Sequence, residues 1–174
     1  MFSSAFALTI GIDKYRYPLQ VPMLARGGIN PAKTSRYVSL TGAVADADAF
    51  EDYLLSRHMP RDSIRRFRNE EATRDSIINA LCSMQTDDRI QKNDPIIIYY
   101  AGHGATGNAP VEWHYQNRAI QVLVPCDISP DDTIAAAANR PPVHGITDRT
   151  LCMEIGGWQR ASEGSLAIRK QPHI

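Results

Sequence analysis

At 174 residues, 43% of them hydrophobic and 22% charged, the chain has the length and balance of one ordinary globular domain. Lys plus Arg and Asp plus Glu both number 19, so no global charge excess points to nucleic acid or to an anionic membrane surface. No apolar run approaches the roughly 18 residues of a membrane span, the N-terminal residues lack the basic start of a signal peptide, and three cysteines without metal-type spacing make no disulfide framework. The expectation is a cytoplasmic protein with no cofactor and no nucleic-acid or membrane partner.

Ala5 to Gly11 reads as a first buried strand that exits through Gly11-Ile12-Asp13. Residues 18 to 42 hold three prolines and three glycines without periodicity, which predicts a functional loop or an insertion. Ala43 to Arg57 reads as a helix, because Ala43, Ala47, Phe50 and Leu54 recur at helical spacing. Thr41 is its predicted cap, and Asp46 lies in its first turn, where a carboxylate suits the helix dipole.

Asp62 to Arg68 reads as a short strand with one polar face. Thr73 to Met84 reads as a second helix capped by Thr73, with Ile77, Ile78, Leu81 and Met84 as its apolar stripe. Cys82, four residues after Ile78, is expected to pack as a small core residue.

Ile96 to Tyr100 is β-branched or aromatic without alternation, as in a strand buried on both faces. Asp94-Pro95 punctuates its start and Gly102-His103-Gly104 its end. Residues 105 to 118 read as loop, Ala119 to Val124 as a further strand ending at Pro125-Cys126-Asp127, and Thr147-Asp148-Arg149 as a helix start. No strand is expected after Gly156. The alternation of strands and helices predicts an α/β sheet with helices on its faces.

In such a sheet, chemistry gathers at the carboxyl ends of strands, which is where His103 falls. It is either a loop histidine without a role or a reactive imidazole. Gly102-His-Gly104-Ala-Thr-Gly107 formally matches GxGxxG, but no apolar helical periodicity follows, so the dinucleotide reading fails. A strand-end histidine can raise the thiolate fraction of a neighbouring cysteine and return the proton to a leaving amine. Of the three cysteines only Cys126 ends a strand.

Phe6-Ala-Leu-Thr-Ile-Gly-Ile-Asp-Lys-Tyr15, Leu40-Thr-Gly-Ala-Val-Ala-Asp-Ala-Asp48, Ile97-Ile-Tyr-Tyr-Ala-Gly-His-Gly104 and Leu123-Val-Pro-Cys-Asp127 resemble the caspase/metacaspase-type (peptidase C14) domain, in its order and spacing. Asn69-Glu-Glu-Ala-Thr-Arg74 and Gly145-Ile-Thr-Asp-Arg-Thr150 fit the same family. The resemblance implies a caspase-like three-layer sandwich with a mostly parallel sheet. It also implies cysteine endopeptidase chemistry on protein substrates through a Cys–His dyad. His103 matches the dyad histidine, acting as general base and acid, and Gly104 falls in the oxyanion region. Asp46 matches a residue lining the pocket for a basic P1 side chain; by spacing alone it is a helix-start carboxylate.

Three departures accompany the resemblance. The likeness stops after residues 151–157, before the stretch that carries the family's nucleophile. Cys152 is not preceded by an apolar strand, and Cys126 falls at a variable position, which leaves it as a substitute candidate. Residues 22–39 look inserted. Ile120 and Arg149 stand where calcium-binding acids would be, with only Asp148 left, so no metal site is inferred. The expected organisation is therefore a caspase-like domain over 5–155, incomplete at its C-terminal side, with a divergent, disordered tail over 156–174. These features read as a truncated or mis-spliced product. The alternative function is an inactive caspase-like binding or regulatory module. Without a nucleophile strand, the flank of Ile96–Tyr100 is expected to be a bare apolar edge that invites self-association.

Overall fold

The computed structural model describes residues 5–16, 37–91, 93–108, 119–129, 141–151 and 166–170; for 108 and 166–170 it describes the backbone alone. Cys152 and most of both the expected insertion and the expected tail lie outside these residues.

In chain order the elements are β1 (Phe6–Gly11), α1 (Ala43–Ser56), β2 (Ile64–Arg68), α2 (Arg74–Gln85), β3 (Ile96–Ala101), β4 (Gly104–Asn108), β5 (Ala119–Leu123), β6 (Ile146–Thr147) and β7 (Leu166–Lys170). The main sheet has the order β2-β1-β3-β7 with every pair parallel, and β4-β5-β6 form a small antiparallel sheet. From β1 the chain first goes outward to β2 and then crosses back to β3 on the other side. The strand order therefore switches between β1 and β3, and the crevice outside their carboxyl ends is where an α/β sheet receives ligands.

β1 divides its residues by size. Ala5 and Ala7 pack with Leu54 and Met59 on the α1 side, while Phe6, Leu8, Ile10 and Ile12 pack with Ile77, Leu81 and Met84 on the α2 side. Strand alternation places Thr9 and Gly11 with the two alanines. A Cβ on Gly11 would lie 2.8 Å from the Ala43 carbonyl oxygen and 2.8 Å from the Ala47 Cβ, so glycine lets α1 lie directly on the strand. β3 divides the same way: Tyr99 and Ala101 meet Ala43 and Ala47, while Ile96, Ile98 and Tyr100 join the α2 side. The result is a three-layer α/β/α sandwich.

Thr73 caps α2 as predicted, its Oγ1 accepting from the Ser76 N–H at 3.1 Å. α1 differs from the expectation of a Thr41 cap. Its N-cap is Gly42, without a side-chain bond, and the carboxylate of Asp13 accepts from the Ala43 N–H at 2.8 Å and the Val44 N–H at 3.3 Å. A remote carboxylate thus serves the positive end of the dipole and ties the β1 exit to α1.

The arginines of β2 follow its alternation. Arg66 and Arg68 turn to Asp48 and Glu51 of α1, while Arg65 reaches Ser83 and Asp87 on the α2 side. Arg68 and Glu51 are both buried, at 7% and 6% exposure.

Two expectations are corrected. Residues 104–108 form β4 instead of loop, because pairing with β5 from Gly104↔Leu123 to Asn108↔Ala119 supplies what the Gly-rich sequence lacks in strand propensity. A strand at 104–108 is also incompatible with the helix a dinucleotide fingerprint requires. Beyond Gly156, where no strand was expected, Leu166–Lys170 pairs parallel with β3 from Ile96↔Leu166 to Tyr100↔Lys170. The flank of β3 expected to be bare is occupied, and the argument for self-association there falls with it.

Candidate active site

β1 and β3 end side by side, with Gly11 opposite Ala101 and the Ile12 N–H donating to the Ala101 carbonyl at 2.9 Å. The next residues of the two strands, Asp13-Lys14-Tyr15 and Gly102-His103, form the mouth of the crevice. Asn69, at the end of β2 with a left-handed φ of 47°, turns its Oδ1 to the N–H groups of Asp13 (2.9 Å) and Lys14 (3.0 Å). On the other flank the Arg16 N–H donates to the Cys126 carbonyl at 2.7 Å. The exit loop of β1 is thereby fixed before and after Tyr15.

Tyr15 is buried, and its hydroxyl accepts from the His103 N–H at 2.8 Å. The Tyr100 hydroxyl stands 2.8 Å from the carbonyl oxygens of both His103 and Val124, and the Val124 N–H reaches the His103 carbonyl at 3.2 Å. The two phenols also bond each other. Burial pushes the Tyr15 phenol up to about 12 and raises Tyr100 well above the usual phenol value, so both remain protonated and act as fixed donors and acceptors.

Both polar groups of the His103 backbone are held by this network. Gly102 makes room for it, since a Cβ there would lie 2.7 Å from the Tyr100 Oη and 3.0 Å from the Tyr15 Oη. No described glycine has a positive φ, so at Gly102 the demand is for space and not for backbone freedom.

The His103 ring lies beside Tyr15 and Tyr37, with centroids 5.0 and 5.5 Å away. Its Nε2 is 2.8 Å from the carbonyl oxygen of Val38. A carbonyl only accepts, so Nε2 carries the proton and the neutral ring keeps its lone pair on Nδ1. Among the described residues Nδ1 has no hydrogen-bond partner. The ring thus has one committed nitrogen and, among the described residues, one without a partner.

The other residues singled out in the sequence are placed as follows. Gly104 opens β4 immediately after His103. Asp46 is half-buried in the first turn of α1, its N–H donating to the Gly42 carbonyl, and no hydrogen bond joins it to His103. Cys126 is 2% exposed; burial first, and then the charge of Asp127, push its thiol up to about 11, far from a thiolate at neutral pH. Cys82 is half-buried on α2. Ile120 is a buried residue of β5, and no group of three His, Cys, Asp or Glu among the described residues could hold a metal ion.

Tyr15, Tyr37, Val38 and Asn69 were assigned no role from sequence. Val38 acts through its backbone carbonyl, which no side-chain pattern reports. It also falls in the stretch read as inserted, yet the Leu40 N–H donates to the Asp13 carbonyl at 2.8 Å and fastens this end to the core.

Residues 4–150 match the family model described as the caspase domain, Peptidase C14. The chain belongs to the caspase-domain family. Among curated proteins none matches it. Among solved structures, protein GSU0716 from Geobacter sulfurreducens is similar, with a TM-score of 0.59 and 14% sequence identity, over 94% of this chain and 48% of that one. At that identity the likeness concerns the fold, and this caspase domain spans about half the length of the bacterial protein. Family membership carries a peptidase domain of caspase type. No helix of the described residues is long and apolar enough to cross a membrane.

Proposed function

We propose that this caspase domain is a cysteine endopeptidase module acting on protein substrates, with His103 as its general base and acid. The observation that supports this reading is the fixed imidazole at the β1/β3 switch point: backbone held on both sides, Nε2 committed to Val38, and Nδ1 without a hydrogen-bond partner among the described residues. In this role Nδ1 takes the proton of a thiol as the sulfur attacks the scissile carbonyl, then delivers it to the leaving amine. Gly104, next in the chain, is the candidate for a backbone donor to the developing oxyanion. Asp46 is the candidate wall of a pocket for a basic P1 side chain.

A second reading, a caspase-like module that binds protein segments without cleaving them, is favoured by a separate observation. The Cys126 thiol, which follows β5, is buried, and burial pushes its pKa up to about 11. Fluorogenic peptides with Arg, Lys or Asp at P1 separate the two. Turnover that disappears in His103→Ala and persists in Cys126→Ser supports the peptidase. No turnover by the folded wild type, or turnover indifferent to His103→Ala, sinks it in favour of the binding module. Turnover lost in Cys126→Ser would make that buried thiol the nucleophile after all.

A further inference from the structure

We propose that Tyr15 is the positioning residue of His103, holding its backbone and its ring at once through one phenol. Other residues hold either the ring of His103 or its backbone. Val38 fixes a ring nitrogen, Tyr37 contacts the ring, and Tyr100 and Val124 hold the backbone carbonyl. Among the described residues Tyr15 alone combines a bond to the His103 N–H with contact to the ring.

Its own position is set from three strand ends. β1 delivers it, Asn69 at the end of β2 holds the two residues before it, and Cys126 beyond β5 holds the residue after it. The hydroxyl then bonds Tyr100 on β3, the strand that delivers His103. A displacement of any of these ends would reach the imidazole through the Tyr15 phenol. A misplacement of about 1 Å at a catalytic group costs on the order of 10²-fold in rate, so such a clamp has a catalytic consequence. That consequence rests on the peptidase reading; the clamp itself does not.

Tyr15 also belongs to the core on the α2 side of the sheet, and a residue that only packed there would affect stability alone. Tyr15→Phe keeps the ring and its packing and removes only the hydroxyl. The decisive readout is the nitrogen NMR spectrum of the His103 ring at a pH where it is neutral. The wild type is expected to show a single tautomer with the proton on Nε2, and Tyr15→Phe a mixture of both tautomers. Phe50→Leu, which loses a ring stack 4.2 Å from Tyr99 on the opposite face of the sheet, is the control expected to keep the wild-type tautomer.

An unchanged single tautomer in Tyr15→Phe overturns the proposal, as does the same mixture in Phe50→Leu. If Tyr15→Phe fails to fold, amide exchange of the wild type decides. The His103 N–H, bonded to the phenol, should exchange at least about 10²-fold slower than an open amide, and exchange at the open rate overturns the clamp. On any peptide the wild type cleaves, Tyr15→Phe should lower kcat by about 10²-fold with KM within about two-fold. Absence of cleavage by the wild type removes the peptidase reading and leaves both NMR results standing as the test of the clamp.

Discussion

The buried pair of Arg68 and Glu51 permits a prediction in which the double substitution costs less than either single one. The Arg68 guanidinium places Nη2 3.0 Å from Glu51 Oε2, Nε 2.9 Å from Asp48 Oδ1 and Nη1 2.9 Å from the Thr9 carbonyl. Glu51→Leu leaves the guanidinium buried with Asp48, itself 49% exposed, as its remaining close carboxylate. Breaking a buried pair costs roughly 3–5 kcal/mol, and the surviving Asp48 contact places this variant near 3.

Arg68→Met leaves the Glu51 carboxylate with Arg61 at 3.6 Å and Arg66 at 3.7 Å, both more than half exposed, and also strips the donor from the Thr9 carbonyl. Its cost should be about 4 kcal/mol, the upper part of the same range. Combining the two removes both desolvation penalties and puts apolar volume between β2 and α1, so the double variant should lose about 1 kcal/mol or less. Urea titration reads all three, and for a chain of this size each single change should lower Tm by on the order of 10 °C. Additive losses of about 7 kcal/mol in the double variant would show that neither charge suffers from its burial, and the argument would fall.

Two further changes probe the site's surroundings. Gly102→Ala drives a Cβ to 2.7 Å from a Tyr100 hydroxyl that is held by two carbonyls and has nowhere to retreat; overpacking plus a disturbed hydrogen bond should cost about 2–4 kcal/mol by urea titration, and a loss below about 0.5 would show that the phenols move freely. The Cys126 thiol, raised from 9.0 to about 11 in the folded chain, ionises first in the unfolded state, so stability should be flat below pH 9 and fall between 9 and 11. Tyr15, raised from 10.0 to about 12, adds to the fall only above pH 10. Unfolding curves at a series of pH values should therefore lose their decline between pH 9 and 10 in Cys126→Ser, and a decline that survives there would mean the thiol is not the group responsible.

Much of the fold was legible because its elements are stabilised by what their own residues bury. β1, α1, α2 and β3 appear within two residues of their expected bounds, each with a run or stripe of apolar side chains. β4 and β7 were not legible, because Gly104-Ala-Thr-Gly-Asn108 and Leu166-Ala-Ile-Arg-Lys170 have little strand propensity of their own and form by pairing with β5 and β3. The uninterrupted apolar look of β1 also concealed a division into small residues under α1 and large ones under α2. That division appears only when the strand is given two different neighbours.

The site divides along a different line. His103 could be singled out as a polar residue between two glycines at the end of a buried strand, although its residues alone left a role-free loop histidine and a reactive imidazole both open. What fixes its imidazole is contributed by groups with no side-chain signature: the Val38 carbonyl, the His103 peptide itself, and an Asn69 amide turned toward two backbone N–H groups. A sequence announces side chains, whereas the geometry of this histidine is held mainly through backbone atoms. Tyr15 and Tyr100 are the exceptions, and both are buried core aromatics. Their hydroxyls are the only parts of them that face the peptide of His103, and one oxygen atom on a buried ring leaves no trace in hydropathy. Substitutions that spare hydropathy and remove that oxygen are therefore the ones that should separate the site from the fold.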